Sequence, residues 1–227
     1  MTRRQMIRPL AAELLGTLLL LVAVVGSGIM AERLSSGNAA LALLANALAT
    51  GAVLVVLITI FAPLSGAHFN PSVTLYFALR GEIAWPAAAA YMLAQVVAAI
   101  AGVWLAHAMF ALPVLEVSTH LREGPAQWLA EFVATFGLIL TITGGVRFAP
   151  AAIPMLVGLY ITGAYWFTAS TSFANPAVTL ARSFTGSFAG IAPHSVPGFI
   201  AAQFLATLAS ALLLPWLFRP QKREAPG

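Results

Sequence analysis

Long apolar stretches separated by short polar connections make up most of the chain. A helix of about 20 residues crosses the ~30 Å hydrocarbon core of a bilayer, and six stretches approach or exceed that length. We predict spans at 9–30, 39–62, 84–111, 126–146, 149–169 and 195–218. Turn and charge signals fall between them, as in Glu32–Asn38 and Leu112–Gly124. The pattern predicts an all-α integral membrane protein with six transmembrane helices.

Two further segments, 65–80 and 170–188, are only moderately apolar and too short to cross a bilayer as helices, and each contains Asn-Pro. Asn is favoured as a helix N-cap and Pro as the first helical residue. Asn70 and Asn175 therefore each predict the start of a helix. A helix over 70–79 would be about 15 Å long, roughly half of the bilayer core. Two such half-helices, entering from opposite sides, would meet near the centre with their N-termini facing.

The chain also repeats itself. Three short matches occur in the same order in both halves: Ala12–Thr17 with Ala130–Thr135, Asn70–Leu75 with Asn175–Leu180, and Ala94-Gln95 with Ala202-Gln203. We predict a duplicated three-span unit, with repeats at 1–111 and 125–220 inside one membrane domain that covers 1–227. Because three is odd, the second copy must be inverted relative to the first. Inverted repeats place a solute path near the bilayer midplane, where the copies meet.

Composition agrees with a membrane protein and excludes several other classes. Hydrophobic residues make up 60% of the chain and charged residues 8%, whereas soluble domains carry about 25% charged residues. The chain has no Cys, so disulfides, Cys metal sites and thiol catalysis are excluded. The basic residues lie mainly near the ends of the chain, as membrane-flanking anchors do, and we expect no nucleic-acid partner. No nucleophile–base constellation, phosphate loop or metal cluster is present, so we expect no enzyme activity, metal or cofactor.

The distribution of Lys and Arg predicts the orientation, because cytoplasmic loops carry an excess of them. With both termini cytoplasmic, the residues inside are Arg3, Arg4, Arg8, Arg80, Arg147, Arg219, Lys222 and Arg223, and those outside are Arg33, Arg122 and Arg182. We therefore predict a multi-pass protein of the cell (inner) membrane with both termini in the cytoplasm.

The Asn-Pro segments carry the predicted mechanism. A helix N-terminus has roughly half a positive charge, so two facing N-termini would repel cations, while the Asn side chains would offer donors to a solute. Non-helical backbone at membrane depth is tolerated only where it is buried or lines a water-filled path. We expect an acceptor ladder from the carbonyls of Gly66, Ala67, His68, Thr171, Ser172 and Phe173.

Both segments resemble the paired signature of the aquaporin, or major intrinsic protein, family. The residues that carry the resemblance are Ser65–Leu75 and Phe173–Ala177, with the motif positions Asn70, Pro71, Ser72, Asn175, Pro176 and Ala177. Ser72 departs from the Ala of most members. The resemblance covers nearly the whole chain and implies a passive channel for small uncharged solutes, in a homotetramer with one pore per subunit in the lipid bilayer.

The resemblance also implies a selectivity constriction, which the family forms from four positions. Counted from the two Asn residues, these are Thr50, Gly163, Ser172 and Val178. Val178 stands where most members have Arg, and bacterial aquaporins associated with arsenic resistance are similar in this respect. We expect a wide, uncharged constriction that admits water, glycerol, urea and metalloid hydroxides such as arsenous acid. In the alternative, Val178 only mirrors Val73 and the pore is narrowed by Phe61, Phe167 or Phe173.

Three charged residues within or near the spans have two interpretations each. Arg182 lies one helical turn beyond Val178; either it partly replaces the missing charge in an outer vestibule, or it is an interface Arg whose side chain extends to the membrane surface. Glu13 and Glu131 obey the repeat, and we expect each to anchor its re-entrant loop through backbone hydrogen bonds. As a proton relay they would instead indicate an energy-coupled secondary transporter, which the sparse intramembrane charge disfavours.

Overall fold

The structure is a computed structural model, and it describes residues 3–219. Its six long helices are α1 (Arg3–Leu34), α2 (Ala39–Ser65), α4 (Trp85–Met109), α5 (Pro125–Phe148), α6 (Ile153–Phe167) and α8 (Val196–Leu217); the two short ones are α3 (Pro71–Leu79) and α7 (Pro176–Ala181). Short 3₁₀ turns at Pro150–Ala152 and Pro193–Ser195 lead into α6 and α8. Lys222 and Arg223 lie outside the described residues, as do the side chains of Arg3 and Arg4.

The six predicted spans agree with the long helices, each of which, with its 3₁₀ turn where it has one, is long and apolar enough to cross a membrane. The first helix begins earlier than predicted and runs through Pro9. Large apolar side chains such as Leu212 (81% exposed) face outward, whereas the buried set includes Glu13, Glu131, Gln95 and Gln203. This inverted distribution suits a bilayer, because lipid accepts apolar surface while polar groups must pair inside the protein.

The two short helices start where the Asn-Pro pairs predict. Asn70 and Asn175 both cap in an extended conformation, with φ of −155° and −158°. The Asn70 Oδ1 accepts a hydrogen bond from the N–H of Ser72 at 2.8 Å, and the Asn175 Oδ1 accepts one from Ala177 at 3.0 Å. The second half-helix is the shorter one, and continues as a 3₁₀ turn at Arg182–Phe184.

Helix packing in the first half is matched in the second. Helix α1 packs against α2 and α4, and α5 packs in the same way against α6 and α8. Each half-helix contacts the last long helix of both halves, so that α3 lies against α4 and α8, and α7 against α8 and α4. A duplicated and inverted unit would produce this arrangement. The repeat bounds 1–111 and 125–220 stay a prediction, and residue 220 lies outside the described part.

The two halves also meet directly where α2 crosses α6. Gly51 and Gly158 face each other there, and a Cβ atom built on either one would lie 2.7 Å from the carbonyl oxygen of the other. Small residues allow this close approach of helix backbones, which is a main source of stability between helices in lipid. The contact places the two helices side by side as adjacent walls of the central cavity described below.

We predict that Gly158→Ala lowers the thermal stability of the protein, because the new methyl group overlaps the Gly51 carbonyl, at a cost of about 1–3 kcal/mol. Gly163→Ala in the same helix is the matched control. Its Cβ would meet only a ring atom of Phe167, at 3.9 Å, so we expect no loss. Thermal unfolding of the purified variants, followed by circular dichroism, measures the difference. Equal stability of the two variants would contradict a tight α2–α6 contact.

Candidate functional site

A cavity of about 550 Å³ runs through the centre of the molecule, from Pro150 and Val146 at one end to Arg182 at the other. Two helices present one stripe each to it, at a spacing of four residues: Thr50, Leu54, Ile58 and Ala62 on α2, and Ile153, Val157, Ile161 and Tyr165 on α6. Residues four apart lie on one helical face. The remaining wall comes from α1 and α5 and from the two loops that precede the half-helices.

The half-helices meet in the middle of this cavity. The Asn70 Nδ2 donates to the Ala174 carbonyl at 2.7 Å, and the Asn175 Nδ2 donates to the Phe69 carbonyl at 2.8 Å. Each capping amide therefore binds the loop of the other half. Because an amide nitrogen carries two N–H groups and both Asn side chains line the cavity, each Asn has a second donor for a solute.

The other four motif residues, Pro71, Ser72, Pro176 and Ala177, are buried and are not among the residues that line the cavity. They support the two asparagines from behind. The departure of Ser72 from the usual Ala therefore adds a buried hydroxyl away from the solute path.

The loop before each Asn follows the same unusual backbone path. Three residues in each loop have a positive φ: Gly66 (86°), Ala67 (51°) and Phe69 (49°) in the first, and Thr171 (62°), Ser172 (52°) and Ala174 (48°) in the second. These residues stand four, three and one positions before the Asn in both loops. The left-handed conformation costs an L-residue other than Gly roughly 1–2 kcal/mol, so other contacts must stabilise both loops.

Two buried carboxylates stabilise the loops. Glu13 accepts backbone N–H bonds from His68 at 2.9 Å and Phe69 at 2.7 Å. Glu131 accepts them from Phe173 and Ala174, both at 2.9 Å. Hydrogen bonds to an ionised group contribute about 1.5–3 kcal/mol each, enough to offset the backbone strain.

A glutamine completes each carboxylate site. Gln95 donates to the Glu13 Oε2 at 2.8 Å and to the Thr74 hydroxyl at 3.0 Å. Gln203 donates to the Glu131 Oε2 at 2.6 Å and to the Thr179 hydroxyl at 2.8 Å. Each Gln thereby ties the carboxylate to the half-helix next to it. This geometry is that of a loop anchor.

Four of the predicted acceptor-ladder positions besides Ser172 line the cavity: Gly66, Ala67, His68 and Phe173. Thr171 is not among the residues that line the cavity, and its place in the acceptor ladder stays a prediction. Its N–H bonds back to the Thr168 carbonyl at 3.1 Å, so it sits in the turn that follows α6. The chain enters the cavity wall only at Ser172.

Three of the four predicted constriction positions, Thr50, Ser172 and Val178, line the cavity, but Gly163 does not. Gly163 is exposed on the outer side of α6. Tyr165 takes the expected place: it lines the cavity, and its hydroxyl lies 3.3 Å from the Thr50 Oγ1. Gly163 stands twelve residues before Asn175 and Tyr165 ten, so the count back from Asn175 ends two positions away from the residue that lines the cavity.

The cavity also carries a charge near this end, from a residue outside the four predicted constriction positions, and the uncharged constriction stays a prediction. Arg182 lines the cavity, is only 2% exposed, and donates from its Nε to the Ala189 carbonyl. Its Cζ lies 3.4 Å from the centroid of the Phe173 ring, which is a cation–π contact. Phe173 is also the only one of the three aromatic alternatives, with Phe61 and Phe167, that lines the cavity in the described chain.

A second guanidinium, that of Arg122, lies behind the Arg182 guanidinium as seen from the cavity. The sequence did not predict Arg122 as a site residue. Arg122 donates to the Gly190 carbonyl at 2.8 Å and the Phe188 carbonyl at 3.2 Å, and its Cζ lies 5.2 Å from the Phe173 ring centroid. Burial lowers the pKa of Arg122, and it lowers the pKa of Arg182 to about 9. Arg182, which lies outside the six spans, is therefore protonated at pH 7.

Among residues 3–219, no group of three or more His, Cys, Asp or Glu side chains is arranged to hold a metal ion. His68 lines the cavity, where its ring stacks on Phe77 with centroids 4.9 Å apart and its Nδ1 lies 3.1 Å from the Thr74 Oγ1. The arrangement as a whole is a path with largely apolar walls, two amide donors at its centre and an arginine at one end.

Comparison with known proteins agrees with this geometry. Residues 1–162 match the family model of the major intrinsic protein. The chain is 60% identical over 215 residues to the aquaglyceroporin AqpS of Rhizobium meliloti (strain 1021), covering 95% of this chain and 92% of that protein. It is 33% identical over 186 residues to aquaporin NIP1-4 of Oryza sativa subsp. japonica, covering 78% and 66%.

The fold has a counterpart among solved structures. The X-ray structure of the aquaglyceroporin from Plasmodium falciparum matches with a TM-score of 0.73 at 19% sequence identity, covering 93% of this chain and 98% of that one. At that identity the match concerns the fold alone.

We predict that Glu131→Gln destabilises the protein by about 2–4 kcal/mol. An amide has one acceptor oxygen and cannot accept all three of the hydrogen bonds that the carboxylate receives, so buried N–H groups are left unpaired. The measurement is the apparent melting temperature of the purified protein. Glu123→Gln is the control, since that side chain is 51% exposed and, within residues 3–219, forms an ion pair only with His194, and surface pairs contribute little. A Glu131→Gln variant as stable as the control would rule out the anchoring role.

Proposed function

The chain belongs to the major intrinsic protein family, and we propose that its path admits small uncharged solutes larger than water, namely glycerol, urea and metalloid hydroxides such as arsenous acid. The observation that carries this proposal is Val178, which lines the cavity where most members of the family have Arg. The name of the AqpS relative, an aquaglyceroporin, supports passage of polyols.

Membership establishes the coarser function. The protein is a multi-pass membrane channel that passes small solutes passively, and its family is not one of enzymes. An energy-coupled transporter is not favoured. Such a transporter would need carboxylates that exchange protons along the path, whereas Glu13 and Glu131 each receive hydrogen bonds from a re-entrant loop and a glutamine.

The lining of the cavity supports the proposed solute class. Thr50, Ser172 and Val178 are small or medium in size, so they leave more width than an Arg at position 178 would. The Tyr165 hydroxyl and the two Asn amides offer hydrogen bonds to the hydroxyl or amide groups of a solute, while the aliphatic stripes on α2 and α6 accept its carbon backbone. Arsenous acid is neutral at pH 7 and presents hydroxyls as a polyol does.

Cation exclusion follows from two positive features in series. The partial charges of the facing α3 and α7 N-termini lie at the centre, and the Arg182 guanidinium lies toward one end. We propose that Arg182 takes over part of the role of the Arg that is missing at 178. Its burial supports this role over that of an interface Arg, because a side chain that extends to the membrane surface would be exposed.

We also propose a homotetramer in the cell (inner) membrane with both termini in the cytoplasm. The even number of spans puts both ends of the described chain on one face. Arg8, Arg80, Arg147 and Arg219 belong to that face by helix direction, whereas Arg33, Arg122 and Arg182 belong to the other. This excess supports a cytoplasmic assignment of the first face.

The proposal is tested by stopped-flow light scattering on proteoliposomes with water, glycerol, urea and arsenous acid. We expect the native protein to pass all four, and Val178→Arg to reduce passage of the three larger solutes about tenfold or more, the effect of a barrier raised by ~1.4 kcal/mol, with a smaller effect on water. Val178→Met, which is longer than Val but uncharged, helps to separate the effect of size from that of charge. Passage of water alone by the native protein would refute the proposed solute class.

A second test concerns Arg182. In Arg182→Gln the side chain still carries donors for the Ala189 carbonyl but loses its charge, and we expect proton or cation leak across the vesicle membrane to rise about tenfold as a barrier of ~1.4 kcal/mol disappears. Arg182→Lys should restore exclusion. Arg33→Gln, which removes a charge outside the cavity, is the control. Unchanged leak and unchanged solute preference in Arg182→Gln would leave Arg182 without a role in selectivity.

A further inference from the structure

A second cavity, of about 450 Å³, opens on the face that carries the described chain ends. Three arginines from three different elements line it: Arg80 at the C-terminal end of α3, Arg147 in the last turn of α5, and Arg219 just beyond α8. None of these side chains belongs to the solute path. The three helices therefore bring these guanidinium groups, which are far apart in the sequence, together at one membrane face.

The charges in this cavity are not balanced. Glu82 is its only carboxylate among the described residues, and it lies 3.6 Å from the Arg80 Nε. Arg147 and Arg219 have no ion pair or side-chain hydrogen bond within residues 3–219, and the Arg147 Cζ lies 5.8 Å from the centroid of the Phe148 ring. Two unpaired cations on one cavity wall are expected to attract an anion.

The remaining wall is apolar and reaches the lipid-facing surface. Phe77, Val146, Leu214, Pro215 and Phe218 line the cavity. Phe148 and Trp216 follow lining residues directly in the sequence and are 71% and 63% exposed, as aromatic side chains are at the level of lipid headgroups; the Phe148 ring also packs against that of Phe218, with centroids 5.7 Å apart. An occupant would therefore meet cations at the membrane surface and hydrocarbon beside them.

We propose that this cavity binds a phosphate group, and that the group belongs to the headgroup of an anionic phospholipid. Guanidinium groups bind phosphate oxygens through paired N–H bonds, and basic pockets between transmembrane helices on the cytoplasmic side bind anionic headgroups. Arg147 and Arg219 hold the phosphate, and Phe148 and Trp216 flank the acyl chains. Because Phe77 and Val146 line both cavities, the bound headgroup lies against the mouth of the solute path.

Native mass spectrometry of the full-length protein in detergent, titrated with phosphatidylglycerol or phosphatidylcholine of the same acyl chains, tests the proposal. We expect preference for phosphatidylglycerol and about tenfold or more weaker binding by the double variant Arg147→Gln/Arg219→Gln, given the contribution of each Arg near an anionic surface. The control Arg8→Gln/Arg33→Gln removes the same charge elsewhere and should bind normally. Because Arg147 and Arg219 are exposed, the double variant should keep its melting temperature.

A parallel titration with inorganic phosphate identifies the source of the ligand. If inorganic phosphate displaces phosphatidylglycerol from the native protein at comparable concentration, the result supports an anion site in this cavity whose occupant is the free anion. If inorganic phosphate does not displace phosphatidylglycerol, and binding is lost only in the Arg147→Gln/Arg219→Gln variant, the result supports a lipid headgroup as the occupant. Equal retention by the two double variants, or no preference over phosphatidylcholine, would overturn the proposal.

Discussion

Backbone that leaves the helical path inside a bilayer must find its hydrogen-bond partners within the protein. Here the two loops before Asn70 and Asn175 meet that requirement with one buried carboxylate each. The carboxylates stabilise five left-handed residues other than glycine, a conformation that would not persist without them. Because they are anchored in this way, the loops can line the cavity with backbone groups, whereas a membrane helix would present only side chains.

The solute path follows from those anchored loops. They set the two half-helices end to end, so that the partial positive charges of α3 and α7 and the amides of Asn70 and Asn175 converge on one place. The aliphatic stripes of α2 and α6 close the sides, and Tyr165 and Arg182 give one end a hydroxyl and a charge. Apolar walls with a few fixed polar groups favour a neutral solute, because a neutral molecule gives up less hydration than an ion does on entering.

The sequence predicted those features of the fold that depend on local chemistry. Span length predicted the six long helices, and the Asn-Pro pairs predicted both half-helix starts, because caps depend on residues only a few positions apart. Placement that depends on the path of a whole connection was harder to predict: Gly163 was assigned to the cavity, but Tyr165, two residues later, lines it. Thr171 does not line the cavity, and no local signal marks where the loop enters the wall. Arg122 reaches Phe173 only through tertiary structure, and nothing in its neighbourhood in the sequence predicts that contact.

The crossed hydrogen bonds at the centre have a consequence for biogenesis. Asn70 requires the carbonyl of Ala174, and Asn175 requires that of Phe69, so neither half of the chain can complete its own re-entrant loop. During synthesis, the first three spans enter the membrane with the Asn70 amide and the Phe69 carbonyl unpaired until the chain has reached the second loop, 104 residues beyond Asn70. The nascent first half must therefore remain open to water or to the insertion machinery, and its closure belongs to the last stage of assembly.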